Sequence, residues 1–125
     1  MIVVDTSVLI DHLRGNEGAR AALRRAVGDG ERLVASVLTK VEVLAGMRES
    51  ERRATPRLLD SLEWVDVDDE LAERAGELAS RYLPSHPGVD PVDYVIAATT
   101  QRWAAELWTR NLKHFPMFPE LHAPY

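Results

Sequence analysis

The apolar run MIVV at residues 1–4 constrains the fold more than any other part of the sequence. It has no polar alternation, and a carboxylate, Asp5, follows it directly. Such a run is typical of a strand buried on both faces, as in a parallel sheet covered by helices. Asp5 then lies just past the carboxyl end of this strand, where open α/β sheets have their ligand crevice. The alternative is that Asp5 caps a helix that begins near Thr6 or Ser7.

The rest of the chain alternates patterns of strand length and helix length. We predict further strands at 33–35, 64–67 and 106–109, and helices at 6–14, 17–27, 37–47, 57–62, 69–82 and 91–103. The charged stretch 48–53 is expected to be solvated, 84–88 to be a loop, and the proline-rich tail to hold at most a short edge strand near Leu121. Strands alternating with helices indicate an α/β fold, a parallel sheet with helices on both faces, in one domain spanning 1–125.

Composition excludes several classes of protein. The chain has 125 residues, is 46% hydrophobic and has no cysteine, so a core is feasible but a disulfide framework and a thiolate metal site are not. We see neither a signal-peptide pattern nor an apolar run long enough to cross a bilayer, and expect a soluble, cytoplasmic protein. The net charge of −5 argues against a broad cationic face for duplex nucleic acid. It still allows a nucleic-acid substrate that meets a metal-filled acidic centre.

Glu42 is an acid in an unusual setting. Its neighbours at helical spacing are small, apolar or hydroxyl-bearing and carry no charge; they are Leu38, Thr39, Ala45 and Gly46. A buried carboxylate there would need a partner such as a metal ion. The alternative is a partly exposed side chain at the edge of an apolar stripe.

Asp93 and Asn111 are two further candidates. Asp93 stands in the first turn of a helix opened by Asp90-Pro91. One interpretation is that an acid there only stabilises the helix through its favourable interaction with the helix dipole. Alternatively, the dipole keeps the carboxylate ionised, as a metal ligand requires. Asp90 itself is predicted to be the cap. Asn111 follows the strand that ends near Thr109, so it is either an ordinary turn residue or a neutral oxygen ligand.

These oxygen-bearing side chains predict a hard divalent cation, Mg²⁺ or Mn²⁺, rather than zinc. The histidines show no metal-ligand spacing. Since Mg²⁺ sites bind phosphate oxygens, we predict phosphodiester hydrolysis by metal-activated water. Two other functions are open: a phosphatase with Asp5 as nucleophile, although Ser7 stands where such enzymes carry a second acid, and a non-enzymatic α/β interaction module whose acids are only caps.

Four segments together resemble the PIN-domain ribonucleases, and among these the VapC toxins of bacterial toxin–antitoxin modules. They are the strand leading into Asp5-Thr6-Ser7, and the segments 41–46 (VEVLAG), 93–99 (DYVIAAT) and 109–115 (TRNLKHF). The resemblance implies a three-layer α/β/α sandwich, Mg²⁺-dependent endoribonuclease activity with Mn²⁺ as a substitute, and homodimerisation. It also implies inhibition by a cognate VapB-type antitoxin that occupies a groove and the active site.

The resemblance also implies residue roles. Asp5, Glu42 and Asp93 would be the catalytic, metal-binding acids, supported by Thr6 and Thr109, with Asn111 in a fourth position where many members carry Asp. Four basic residues are candidates for contacts to substrate phosphates, with solvated surface charge as the favoured alternative for each; they are Arg110, Arg14, Lys113 and His114. The apolar residues Val37, Val41, Leu44, Leu58, Leu59 and Leu62 are expected to line the antitoxin groove or the dimer interface in part, unless they fill the core.

Overall fold

A parallel four-stranded sheet forms the centre of the protein. The computed structural model describes residues 1–125. The strands are β1 (Ile2–Val4), β2 (Leu33–Ser36), β3 (Glu63–Val65) and β4 (Glu106–Trp108). They lie in the order β3-β2-β1-β4, and each neighbouring pair is parallel. β1 is an inner strand and all of its residues are buried, which explains why its sequence has no polar alternation.

Six α-helices surround the sheet. They are α1 (Thr6–Leu13), α2 (Glu17–Gly28), α3 (Val37–Ala45), α4 (Ala54–Asp60), α5 (Asp69–Tyr82) and α6 (Pro91–Arg102), with short 3₁₀ helices at Glu49–Glu51 and Leu112–His114. No helix combines the length and the hydropathy that a bilayer span requires. The alternation of strands and helices confirms the predicted α/β architecture.

The side chains of β1 connect the two outer layers. Ile2 and Val4 belong to a core cluster with residues of α1, α2 and α4. Val3 points the other way and packs with Ile96 of α6 and with Phe115. Since successive side chains of a strand face opposite sides of a sheet, helices must cover both faces. The three-layer α/β/α arrangement is therefore as predicted.

Some local predictions are wrong. Glu51, expected to be solvated, is buried: its carboxylate accepts a hydrogen bond from the backbone N–H of Arg48 at 2.9 Å and lies 3.9 Å from Nε of Arg14. The tail, predicted to hold at most a short edge strand, forms none, and Leu121 packs against the core. Its prolines lack the N–H that a sheet ladder needs. The predicted bounds of α4 and β3 are also shifted, because α4 begins at Ala54 and β3 at Glu63.

The topology brings distant parts of the chain to one edge of the sheet. Parallel strands end at the same edge, so the residues that follow β1, β2 and β4 are neighbours there. Asp5 follows β1, α3 continues directly from β2, and Thr109 follows β4. The buried helix α6 packs on these three strands, which fixes the position of its first turn and of Asp93.

Candidate active site

A polar cavity of about 520 Å³ lies at this carboxyl edge. The residues that line it are Asp5, Thr6, Ser7, Ile10, Asp11, Asn16, Glu42, Asp93, Arg110 and Asn111. Of the site residues predicted from the sequence, this cavity brings together all except Thr109, which is buried, and three candidate phosphate contacts, Arg14, Lys113 and His114. As the side chains stand, no three His, Cys, Asp or Glu residues are arranged to hold a metal ion. The predicted ligands instead share one open, acidic cavity.

Asp5 does not cap α1. It occupies the N-cap position, but its side chain makes no capping hydrogen bond. Its Oδ2 accepts hydrogen bonds from the hydroxyls of Thr109 at 2.7 Å and Ser7 at 2.9 Å, and its Oδ1 has no hydrogen-bond partner. Only 3% of the residue is exposed, so the carboxylate is held in place by hydroxyls within the protein. The alternative that Asp5 serves as a helix cap is therefore wrong.

Glu42 is exposed to solvent on α3, as the alternative interpretation of its small neighbours allowed. Its carboxylate nevertheless belongs to the cavity. The hydroxyl of Thr6 donates a hydrogen bond to its Oε1 at 2.6 Å, while Oε2 has no partner. Thr6 is the residue after Asp5, so this contact ties the start of α1 to α3.

Asp93 is the most perturbed acid of the cavity. Its side chain is 12% exposed, and Nδ1 of His114 lies 3.1 Å from its Oδ2. Burial and then the charge of Asp5 raise the pKa of Asp93 to about 6, against the smaller lowering effects of His114 and the Asp90 backbone. Asp90 accepts a hydrogen bond from the N–H of Val92 at 2.7 Å and caps α6, as predicted. Asp5 and Asp93 are thus close enough to repel each other.

Hydroxyl groups connect the loops after β1 and β4. The Ser7 hydroxyl accepts a hydrogen bond from the backbone N–H of Arg110 at 3.0 Å, and the Thr109 hydroxyl accepts one from that of Asn111 at 3.0 Å. These contacts hold the backbone of Arg110 and Asn111 next to the two hydroxyls that bind Asp5.

Two of these contacts were not predicted from the sequence. Ser7 was not predicted to support Asp5, although the hydroxyl pair Thr6-Ser7 directly after the acid was a visible signal. His114 was expected only as a phosphate contact, but it pairs with Asp93. No spacing in the sequence indicates that pairing, because it depends on how the loop after β4 meets α6.

The raised pKa of Asp93 predicts how stability depends on pH. An ordinary aspartate has a pKa of 3.8, whereas folded Asp93 keeps its proton up to about pH 6. The stability that this proton provides is present at low pH and is lost as the pH rises through 6. Asp93→Asn, which cannot ionise, should therefore gain stability over the wild type between about pH 4 and pH 7, by at most about 3 kcal/mol.

Urea unfolding in EDTA, at a series of pH values, measures this difference. Asp66→Asn is the matched control, because it changes an exposed aspartate outside the cavity. A difference between Asp93→Asn and the wild type that stays constant across the pH range would contradict the assignment.

Comparison with known proteins identifies the family. The PIN domain model matches residues 2–116. Ribonuclease VapC19 of Mycobacterium tuberculosis is 45% identical over 125 residues, which is 100% of both chains. Ribonuclease VapC10 of the same species is 44% identical over 100% of this chain and 93% of its own length.

Solved structures agree with this assignment. A toxin–antitoxin complex from Klebsiella pneumoniae contains a chain with a TM-score of 0.80 and 29% identity, covering 100% of this chain and 98% of its own. A chain of VapBC2 from Rickettsia felis, bound to a promoter DNA fragment, has a TM-score of 0.81 and 19% identity, covering 98% of this chain and 97% of its own, and so shares the fold. The chain therefore belongs to the PIN domain family, and its full-length relatives there are VapC ribonucleases.

Proposed function

We propose that this protein is a metal-dependent endoribonuclease in which Asp5, Glu42 and Asp93 hold a divalent cation, Mg²⁺ in the cell with Mn²⁺ as a substitute. One observation carries the proposal: carboxylates from three separate elements line one cavity, and two of them repel each other. The ribonuclease names of the relatives support RNA as the substrate. We propose that residues 1–125 act as one domain, in the cytoplasm, where RNA is available.

The donor chemistry of the cavity fits a hard cation. Asp5 and Glu42 each have one oxygen held by hydroxyl groups and a second oxygen without a hydrogen-bond partner. Carboxylate oxygens are the ligands that Mg²⁺ and Mn²⁺ prefer. Burial and then the charge of Asp5 raise the pKa of Asp93, and positive charge between the two acids would offset both effects. A bound cation would therefore reduce the repulsion between the carboxylates of Asp5 and Asp93.

The side chains around the acids prepare the site before RNA binds. When bound, the cation lowers the pKa of an attacking water and neutralises the charge that develops on the phosphate. Ser7 and Thr109 hold the carboxylate of Asp5, and Thr6 holds that of Glu42. Such preorganisation keeps the donors in place without reorganisation during the reaction.

The rim of the cavity supplies contacts for the RNA backbone. Arg110 is the basic residue of the lining, and its guanidinium matches the geometry of phosphate oxygens. Asn111 offers a neutral amide on the same side, which adds no negative charge. Two of the remaining candidates, Lys113 and His114, lie in the 3₁₀ helix after Asn111, and the third, Arg14, lies outside the cavity lining with its Nε 3.9 Å from Oε2 of Glu51.

The two other functions considered fit the geometry less well. A phosphatase with Asp5 as nucleophile would need an acid near the leaving group, but Ser7 stands at that position and donates its hydroxyl to Asp5. An interaction module whose acids are only caps is disfavoured, since the Asp5 side chain caps nothing.

Asp5→Asn tests the nuclease most simply. It keeps an oxygen for the hydroxyls of Ser7 and Thr109 but removes the charge that a cation requires. We expect Mg²⁺-dependent cleavage of single-stranded RNA to fall by more than about 10²-fold, while the thermal midpoint in EDTA stays equal or rises.

The matched control is Asp66→Asn, an exposed aspartate outside the cavity, which should cleave like the wild type. Gel analysis of a randomised RNA pool, followed by sequencing of the cut ends, measures the activity. Cleavage that persists in Asp5→Asn, or that EDTA leaves intact in the wild type, would refute the proposal.

We also propose that a VapB-type antitoxin inhibits the protein, since solved relatives are toxin–antitoxin and VapBC complexes. A cavity of about 510 Å³ between α1, α2 and α4 suits such a partner. Its lining combines the apolar Leu23, Val27, Leu33, Leu58 and Leu62 with the basic Arg20, Arg24 and Arg57. Burial, Arg20 and Arg24 lower the pKa of His12 in the same lining. A segment with apolar and acidic side chains would complement this groove.

The homodimer implied by the family would need another surface. Val41 and Leu44 are 63% and 47% exposed on α3, and neither is needed to fill the core. Leu59, in contrast, is buried, and Leu58 and Leu62 line the groove described above. We propose the exposed face of α3 as part of the dimer interface.

Arg24→Glu tests the antitoxin groove. Reversing one charge at its edge should weaken binding of the cognate antitoxin by about tenfold or more, because like charges would meet across the interface. RNA cleavage by the free protein should be unchanged. Arg25→Glu is the matched control, since Arg25 is on the same helix but outside this lining. Calorimetric titration measures both affinities, and equal losses in the two variants would argue against this groove.

A further inference from the structure

Arg110 is fixed at both its backbone and its side chain. Its backbone N–H donates to the Ser7 hydroxyl, which in turn donates to Asp5. Its Nη1 lies 3.1 Å from Oδ2 of Asp11, and its guanidinium carbon lies 5.0 Å from the centre of the Tyr125 ring. The side chain therefore has a defined position between α1 and the end of the tail.

Tyr125 completes what we call the Arg110 cluster, formed by Asp11, Arg110 and Tyr125. Its hydroxyl donates to the same Oδ2 of Asp11, at 2.7 Å. Burial and this hydrogen bond raise the pKa of Tyr125 to about 12, so the hydroxyl stays a donor at physiological pH. One hydroxyl and one guanidinium thus share a single carboxylate oxygen.

The tyrosine ring is itself docked on the protein. It packs against the core cluster that contains β1 residues. It also lies over Gly18 of α2, where a Cβ atom would come within 3.2 Å of the ring carbon Cδ2. The absence of a side chain at position 18 therefore lets the ring approach α2. The docked ring therefore provides a fixed surface against which the Arg110 guanidinium packs.

The position of Arg110 matters because the cavity is strongly acidic. Four acids, Asp5, Asp11, Glu42 and Asp93, line it, and Arg110 is the basic residue among the lining. An unsupported arginine would have to be ordered when RNA binds, which costs affinity. Arginine has five N–H donors, so the contact with Asp11 leaves others for phosphate oxygens.

We infer that Tyr125 and Asp11 are positioning residues for RNA binding: they hold the Arg110 guanidinium at the rim of the cavity, where it binds a backbone phosphate next to the one being cut. This inference rests on the proposed nuclease function and extends it to the tail, which neither the sequence motifs nor the family resemblance singled out. The cluster acts on substrate affinity and leaves the hydrolytic step to the acids.

Tyr125→Ala, Arg110→Ala and the double variant test the inference as a cycle, with cleavage of a randomised single-stranded RNA pool as the readout. Tyr125→Ala should raise KM by about three- to tenfold with little change in kcat, as expected for an arginine that must be ordered on binding. The slope of log(kcat/KM) against log[KCl] should become shallower by about 0.7 in Arg110→Ala, the value for one lost contact to a single-strand phosphate, and by a smaller amount in Tyr125→Ala, where the arginine is present but no longer held in place. The double variant should be no worse than Arg110→Ala alone.

Two further variants separate positioning from general damage. Tyr125→Phe keeps the ring under the guanidinium and loses only the hydrogen bond to Asp11, so it should fall between the wild type and Tyr125→Ala. Arg52→Ala, an exposed arginine paired with Glu49 and outside the cavity lining, should leave KM and the salt slope unchanged.

Additive losses in the double variant, or an unchanged KM and salt slope in a folded Tyr125→Ala protein, would overturn the inference. If Tyr125→Ala does not fold, Tyr125→Phe with wild-type KM and salt slope would overturn it as well. Failure of the proposed function looks different, because the wild type itself would then lack metal-dependent cleavage.

Discussion

The repulsion between the carboxylates of Asp5 and Asp93 is the constraint that the rest of the structure must overcome. Both are largely buried, and burial together with the charge of Asp5 raises the pKa of Asp93. Packing elsewhere must hold them together, and the sequence provides it. β1 is buried along its whole length, and α6 is buried from Asp93 to Thr100, so neither element can move its acid away. The free energy gained by burying apolar side chains thus compensates for the repulsion between the two acids at one edge of the sheet, as is common at functional sites.

The hydroxyl groups of the site orient the carboxylates of Asp5 and Glu42. Thr109, Ser7 and Thr6 each donate to a carboxylate oxygen, and none brings a positive charge. Neutral donors orient the acids without neutralising them, so the cavity keeps its negative potential for a cation. The guanidinium of Arg110 stays at the rim, bound to Asp11 rather than to Asp5 or Glu42. The negative charges of the acids therefore lie at the centre of the cavity, and the positive charge of Arg110 lies at its edge.

Much of this arrangement was predictable from the sequence, because fully buried elements appear in it as unbroken apolar runs. The unbroken apolar run of β1 and the apolar α6 fixed the placement of Asp5 and Asp93, because a fully buried element shows no polar alternation. The edge strand β3 is partly exposed and its bounds were misjudged. Contacts between distant residues were not predictable. The choice between cap and site for Asp5 depends on Thr109, 104 residues away, and the burial of Glu51 depends on Arg14.

Crystals grown with Mn²⁺ would test directly whether the acids of this edge form one cation site. Anomalous scattering from manganese would show where the ion sits without reference to any model of the ligands. We predict a peak bounded by the carboxylates of Asp5, Glu42 and Asp93, and its loss in crystals of Asp5→Asn. A peak elsewhere on the molecule, or one that Asp5→Asn leaves in place, would contradict the account.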